Sequence, residues 1–207
     1  MVRNRGGTQP SPMSEFDLVE AALRVVERSS LHELTVRAVA DECGVTAPAV
    51  HYHLRGKADL ADRVVEAVAA GIEISIEPDD HWIDQYICLV AAMDRAFLRY
   101  PGTGLRALTA EGRSAAAARL SATALDILRG AGFPDRDARE IFTATYLIFV
   151  GWLATRGRAQ SGTIHPALAA VGTAAGNDGI EALESALRHL FEGAKHVTHN
   201  ERSNIEH

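Results

Sequence analysis

Several patterns in this 207-residue chain have the spacing of recognised chemistry, and most of them lack the setting that chemistry needs. Gly102-x-Gly104-x-x-Ala107 has the outline of a dinucleotide-binding turn. That turn requires a strand before it, so that the glycines form a strand-to-helix corner; the twenty residues before Gly102 are patterned as helix instead. His51-x-His53 and His196-x-x-His199 have no carboxylate or cysteine at ligand spacing, so no metal is expected. Cys43 and Cys88 fall on apolar helical faces and read as free thiols of a reducing compartment, the cytoplasm. No nucleophile elbow, zinc-protease helix or phosphate loop occurs. The chain is therefore not expected to be an enzyme, and no cofactor is implied.

The stretch that does carry a complete pattern is residues 34–57, LTVRAVADECGVTAPAVHYHLRGK. Thr35 suits an N-cap, because its hydroxyl can accept a backbone N–H in the following turn. Val36, Val39, Ala40 and Cys43 follow at helical spacing. Gly44 supplies a left-handed residue to end that helix. Thr46 is placed to cap a second helix, with Pro48 in its first turn, where a missing N–H costs nothing. Val50 and Leu54 point back toward the first helix. A small residue, a turning glycine and an apolar lock are the packing requirements of a helix-turn-helix, whose second helix enters the DNA major groove.

Around this core the sequence resembles the N-terminal domain of the TetR (tetracycline repressor) family of transcriptional regulators. The resemblance covers about residues 16–68 and rests on Leu34, Thr35, Arg37, Val39, Ala40, Gly44, Val45, Thr46, Pro48, Ala49, Val50, His53, Lys57 and Leu60 at fixed spacing. It implies DNA contacts from Thr35, Arg37, Thr46, Ala47, Pro48, His51, Tyr52 and Lys57. Thr35 would offer its helix N-terminus to a phosphate. Arg37 would reach a base edge or phosphate, Thr46 to His51 would face the groove, and Tyr52 and Lys57 would hold the backbone. One departure stands out: the family usually has Tyr where this chain has His51, and the Tyr comes one residue later.

Overall charge gives this reading no help. The chain carries −6, and residues 1–72 hold eight Arg and Lys against ten Asp and Glu. Only the window 34–57 is basic, by one charge, which suffices because only groups near phosphates release counterions. The 47% hydrophobic content supports a real core. The polar, Gly-, Ser- and Pro-containing residues 1–13 do not read as a signal peptide. The most apolar uncharged run, 141–155, is too short to span a membrane.

The elements needed to carry the motif are all helical. A first helix starts at Ser14, with Val19, Leu23 and Val26 as its stripe; a fourth runs over about 57–70 on Leu60, Val64 and Val68, closed by Gly71. Residues 77–80, Glu-Pro-Asp-Asp, mark a boundary. Helices are then expected over about 80–99, 105–110, 113–129, 136–156 and 179–196, with 158–178 loose and 197–207 a frayed tail. The fold class expected is all-α: a flexible arm over 1–13, a helix-turn-helix DNA-binding domain with its connecting helix over 14–71, and a larger helical ligand-binding and dimerisation domain over 72–196.

The body of the resembled family encloses a small-molecule cavity. Large inward groups (Trp82, Tyr86, Met93, Phe97, Phe142, Tyr146, Phe149), with Gln85, Arg106 and Thr109 as polar anchors, are the candidates to line it. Repressors that bind tetracycline itself place a metal-binding His where this chain has Arg106. An anionic or neutral drug-like effector is therefore expected, not a magnesium chelate. Residues 136–156 are apolar nearly all round and need cover on most sides. Ile141, Thr145, Ile148 and Trp152, with Leu183, Leu187 and Leu190, are the expected interface of a homodimer. Together these features lead to a cytoplasmic, ligand-responsive repressor, released from a palindromic double-stranded operator by a small effector. The alternative is a helical small-molecule binding protein or enzyme with a degenerate head.

Overall fold

The computed structural model describes residues 14–109, 114–160 and 180–205, with backbone alone at 157–160 and 196–205. The arm expected over 1–13 and most of the loose stretch 158–178 lie outside the described residues. Within them the chain is all-α, in nine helices and no strand: α1 (Glu15–Arg28), α2 (Val36–Cys43), α3 (Ala47–His51), α4 (Lys57–Ala70), α5 (Trp82–Arg99), α6 (Thr103–Thr109), α7 (Ala115–Gly130), α8 (Asp135–Gln160) and α9 (Glu181–Ile205).

The helix ends follow local chemistry. Ser14 and Asp17 form a reciprocal capping box at α1: the Ser14 hydroxyl accepts the Asp17 N–H at 3.2 Å, and the Asp17 carboxylate accepts the Ser14 N–H at 2.8 Å. These bonds hold the Asp17 carboxyl below its ordinary range. The buried stripe of α1 is Leu18, Ala21, Ala22 and Val26, while Val19 and Leu23 stay partly exposed. The stripe is turned from the one expected: Leu18, Ala21 and Ala22 are sealed where the spacing picks Val19 and Leu23.

At α2, Thr35 accepts the Ala38 N–H at 3.0 Å, and Gly44 ends the helix in the left-handed region at φ 67°. Thr46 occupies the N-cap position of α3, but its hydroxyl makes no capping bond. Gly71 closes α4 at φ −78°, without left-handed geometry. The carbonyls there are satisfied from outside: Arg119 of α7 donates to Ala69 at 3.2 Å, Ala70 at 3.4 Å and Ile72 at 3.2 Å.

α1 packs on α2 and α4, and α2 on α3; α4 also packs against α5, α6 and α7, and α8 against α6, α7 and α9. Leu60, Val64 and Val68 form a buried stripe along α4, each contributing roughly 1.5–3 kcal/mol of burial. A second joint links the halves. The Leu31 N–H donates to the Pro101 carbonyl at 2.8 Å, and Arg99 pairs with Glu27 at 2.8 Å.

The Gly102 and Gly104 pair takes a helical setting. Gly102 turns the chain at φ 85°, and Gly104 lies inside α6. A Cβ on Gly104 would come within 2.8 Å of the Phe97 ring and 3.0 Å of Leu153, so this glycine lets α6 lie flat against α5 and α8. Gly104→Ala should destabilise the fold by about 1–3 kcal/mol, read as a lower thermal midpoint. An unchanged midpoint would contradict the close approach.

Candidate nucleic-acid interface and effector cavity

The helix-turn-helix presents a continuous exposed edge. Val39, Ala40 and Val50 seal α2 against α3 from within. This packing leaves Arg37, Thr46, Pro48, His51 and Tyr52 exposed and Ala47 partly covered. Tyr52, which follows the last turn of α3, is 88% exposed, with its ring edge-on to His53 at 5.2 Å. Arg37 has no ion-pair partner among the described residues. Because Thr46 makes no cap, its hydroxyl is available to a ligand. Lys57 is exposed at the start of α4 and donates to the His32 carbonyl at 2.8 Å. That contact holds its ammonium beside the loop joining α1 and α2.

The acidic residues of the head are largely engaged elsewhere. Glu42 accepts from Arg24 at 2.8 Å and from Arg28, and these guanidiniums, Arg28 foremost, hold its carboxyl below the usual range. Asp59 accepts the Arg55 N–H at 3.0 Å and pairs with Arg63, which also takes Glu15. Net negative charge therefore coexists with a cationic edge. Cys43 and Cys88 are both free and partly buried; burial pushes the Cys43 thiol up, and the Cys88 thiol donates to the Ser75 carbonyl at 3.1 Å.

Below the head, a cavity of about 1050 Å³ opens between α4, α5, α6, α7 and α8. Eight of the ten expected effector residues line it: Tyr86, Met93, Phe97, Arg106, Thr109, Phe142, Tyr146 and Phe149. Two are placed elsewhere. Trp82 stands in an aromatic cluster, 5.3 Å from Phe133 and 5.0 Å from Phe191. The Gln85 amide donates to the carbonyls of Glu77, Pro78 and Asp80 at 3.3, 3.2 and 2.9 Å, pinning the turn that precedes α5. The ring packing of Trp82 comes from residues distant in sequence, and the carbonyls that Gln85 satisfies from the turn just before it.

The wall also includes groups not anticipated from sequence: Asp62, Arg63 and Glu66 on α4, and Ser114 and Ser121 of α7 and its cap. Asp62 and Glu66 stand four residues apart, which puts them on one side of α4, but only the packing shows that this side faces a cavity. Arg106 donates to Asp62 at 2.7 Å and 3.1 Å, and Tyr146 donates to the Leu108 carbonyl. The Thr145 hydroxyl donates to the Phe142 carbonyl at 2.8 Å, so Tyr86 is the donor in their 2.6 Å contact.

Of the residues expected at a subunit interface, Ile141, Thr145, Leu183 and Leu187 are buried within the single chain. Ile148, Trp152 and Leu190 are partly buried, and Trp152 donates to the buried Asp94 at 2.8 Å while Arg156 pairs with that same carboxylate. The protomer needs these groups for its own core, because α5 and α9 cover that side of α8. The uncovered side of α8 carries Thr143, Leu147 and Gly151, with Leu147 64% exposed. Among the described residues no helix is long and apolar enough to cross a membrane.

The family model for bacterial regulatory proteins, tetR family, matches residues 18–64, which span α1 to α4. Over that stretch the chain is similar to the N-terminal domain of the tetR family. Its curated relatives include an HTH-type transcriptional regulator of Saccharopolyspora erythraea, 26% identical over 97 residues, 47% of this chain and 41% of the relative. The class A tetracycline repressor protein from transposon 1721 of Escherichia coli is 32% identical over 85 residues, 40% of this chain and 39% of the relative. The match thus spans about two-fifths of each curated relative. Over the whole body the likeness is one of fold. A possible TetR family regulator from Streptomyces coelicolor A3(2) superposes with a TM-score of 0.75 at 24% identity, covering 89% of this chain and 100% of that one. BioQ with its double-stranded DNA operator (TM-score 0.64, 19% identity, 88% and 98% covered) and Streptomyces coelicolor ActR with actinorhodin (0.65, 19%, 89% and 96%) share the TetR architecture.

Burial pushes the Tyr86 phenol up to about 12, against an unfolded value of about 10. Because the folded value is the higher one, this contribution to stability is present below about pH 10 and fades as pH rises through about 12. The phenolate absorbance lost in Tyr86→Phe should develop near pH 12 in the wild type; development near pH 10 would show that the ring is not sealed in the cavity wall.

Proposed function

We propose that this chain is a TetR-family, ligand-responsive, DNA-binding transcriptional regulator, a repressor that a small effector releases from a palindromic operator. The observation that carries the reading is the exposed edge of Arg37, Thr46, Pro48, His51 and Tyr52, set on a rigid helix-turn-helix whose next helix, α4, forms one wall of the cavity. Residues 14–71 are the reading head with its connecting helix, and 72–196 the effector-binding and dimerisation body. The names of its curated relatives, a transcriptional regulator and a tetracycline repressor, support the same reading, as do a neighbour of like fold bound to its operator and another bound to actinorhodin.

Two heads related by a two-fold would address successive major grooves about 34–36 Å apart. The uncovered side of α8, with Leu147 at its centre, is where a second copy would seat, extending the core that Ile141, Thr145, Leu183 and Leu187 start within one chain. An effector shifts the head only by the difference in its affinity for the two α4 positions.

Binding to the DNA flanking the chain's own gene, followed by gel shift, tests the function. Arg37→Ala should weaken that binding by roughly 1–3 kcal/mol. Lys57→Ala should weaken it on all sequences and lower the salt slope by about one unit. Unchanged affinity in both variants would remove the assignment of this edge. Leu147→Asp should convert a dimer to a soluble monomer in analytical ultracentrifugation, since it leaves the protomer core untouched; a dimer of wild-type affinity would refute the α8 seat.

A further inference from the structure

The charges around the cavity narrow the chemistry of what it holds. Arg106 is the cation that favoured an anionic or neutral effector, and it is already neutralised by Asp62 at 2.7 Å. Arg63 is engaged by Glu15 at 2.6 Å and by Asp59 at 3.3 Å. Both cations in the wall are therefore satisfied. Glu66 differs. It lines the cavity, is partly buried, and has no ion-pair partner among the described residues. One of its oxygens accepts the Ala116 N–H at 3.2 Å. The wall also carries five aromatic side chains, Tyr86, Phe97, Phe142, Tyr146 and Phe149, and Met93, among aliphatic and small polar residues. An aromatic-rich wall around a carboxylate with no ion-pair partner favours a cation, because aromatic rings attract positive charge and the N–H of Ala116 leaves the carboxylate's charge unpaired. Among the described residues an anion would find no free cation there, and would face Glu66.

We infer that the effector is a lipophilic cation, an aromatic or multi-ring body bearing a positively charged centre that pairs with Glu66. This rests on the reading of the cavity as the effector site. The same carboxylate fastens α4 to the first turn of α7 through Ala116. A cation drawn to Glu66 competes with that N–H, so recognition and the loosening of α4 from α7 act through one group. The cavity has room for such a body: at about 1050 Å³ it slightly exceeds the usual range for ligand sites, about 300–1,000 Å³.

Tetraphenylphosphonium and tetraphenylborate are matched in shape and opposite in charge, and calorimetric titration of each into the full chain tests the inference. The wild type should bind the phosphonium at least tenfold more tightly than the borate. Glu66→Gln keeps an oxygen for the Ala116 N–H; it should lose tenfold or more in phosphonium affinity while the borate is unchanged or improved. Equal or tighter borate binding by the wild type would overturn the cationic class and leave the effector-site reading standing, a result that needs no variant. A phosphonium preference that survives Glu66→Gln would overturn the role of Glu66. Binding of neither probe would overturn the effector-site reading and this inference with it, while the gel shift still judges the DNA-binding reading separately.

Discussion

The burial of α4 is the constraint on which the rest depends. Leu60 and Val64 are fully buried and Val68 nearly so, and the helix packs against α1 on one side and α5, α6 and α7 on the others. A well-packed core resists continuous deformation, so α4 moves as a rod or not at all. Its polar attachments are of a different kind. Asp62 to Arg106, Arg63 to Glu15 and Glu66 to Ala116 are exposed or partly exposed, where an ion pair contributes only about 0–1 kcal/mol. The apolar stripe therefore holds the rod together, and the weak polar ties set where it rests. A ligand can exchange ties of that size.

The joint between Leu31 and Pro101 adds a second fixed point. A backbone hydrogen bond, the Arg99–Glu27 pair and the close approach of Gly102 to Leu31 tie the corner between α5 and α6 to the back of the head. Displacement of α6 and displacement of α4 would then reach the helix-turn-helix from two sides. At α4's far end, Arg119 takes three carbonyls at once, so α7 grips α4 at its terminus while Glu66 grips α7 at its start. The two contacts are complementary in charge: a guanidinium on a helix C-terminus and a carboxylate on a helix N-terminus.

The electrostatics of the head show how a net negative chain can present a cationic edge. Glu42 is paired with Arg24 and Arg28, and Asp59 with Arg63, while Arg37 stays exposed with no ion-pair partner among the described residues. Charge counted along the sequence averages over both faces; charge met by a polyanion is only what lies within about a Debye length of the surface it touches.

The sequence by itself determined the parts governed by short-range rules. The cap at Thr35, the left-handed turn at Gly44 and the lock at Val50 are local, and each stands where the spacing put it, as do most helices to within a few residues. Where expectation and structure part, the spacing leaves a helix face unassigned. The period picks Val19 and Leu23, whereas Leu18, Ala21 and Ala22 are sealed. Residue type points Trp82 and Gln85 toward a cavity, yet Trp82 meets Phe133 and Phe191 across the fold and Gln85 meets carbonyls of the adjoining turn. A periodic apolar stripe such as Ile141 and Thr145 with Leu183 and Leu187 does not say how much of it its own chain covers. Glu66, one carboxylate on a helix, is unremarkable until packing sets it in a cavity wall. Local conformation and helix identity follow from side chains a few residues apart, whereas the occupant of each helix face is settled only when distant helices meet.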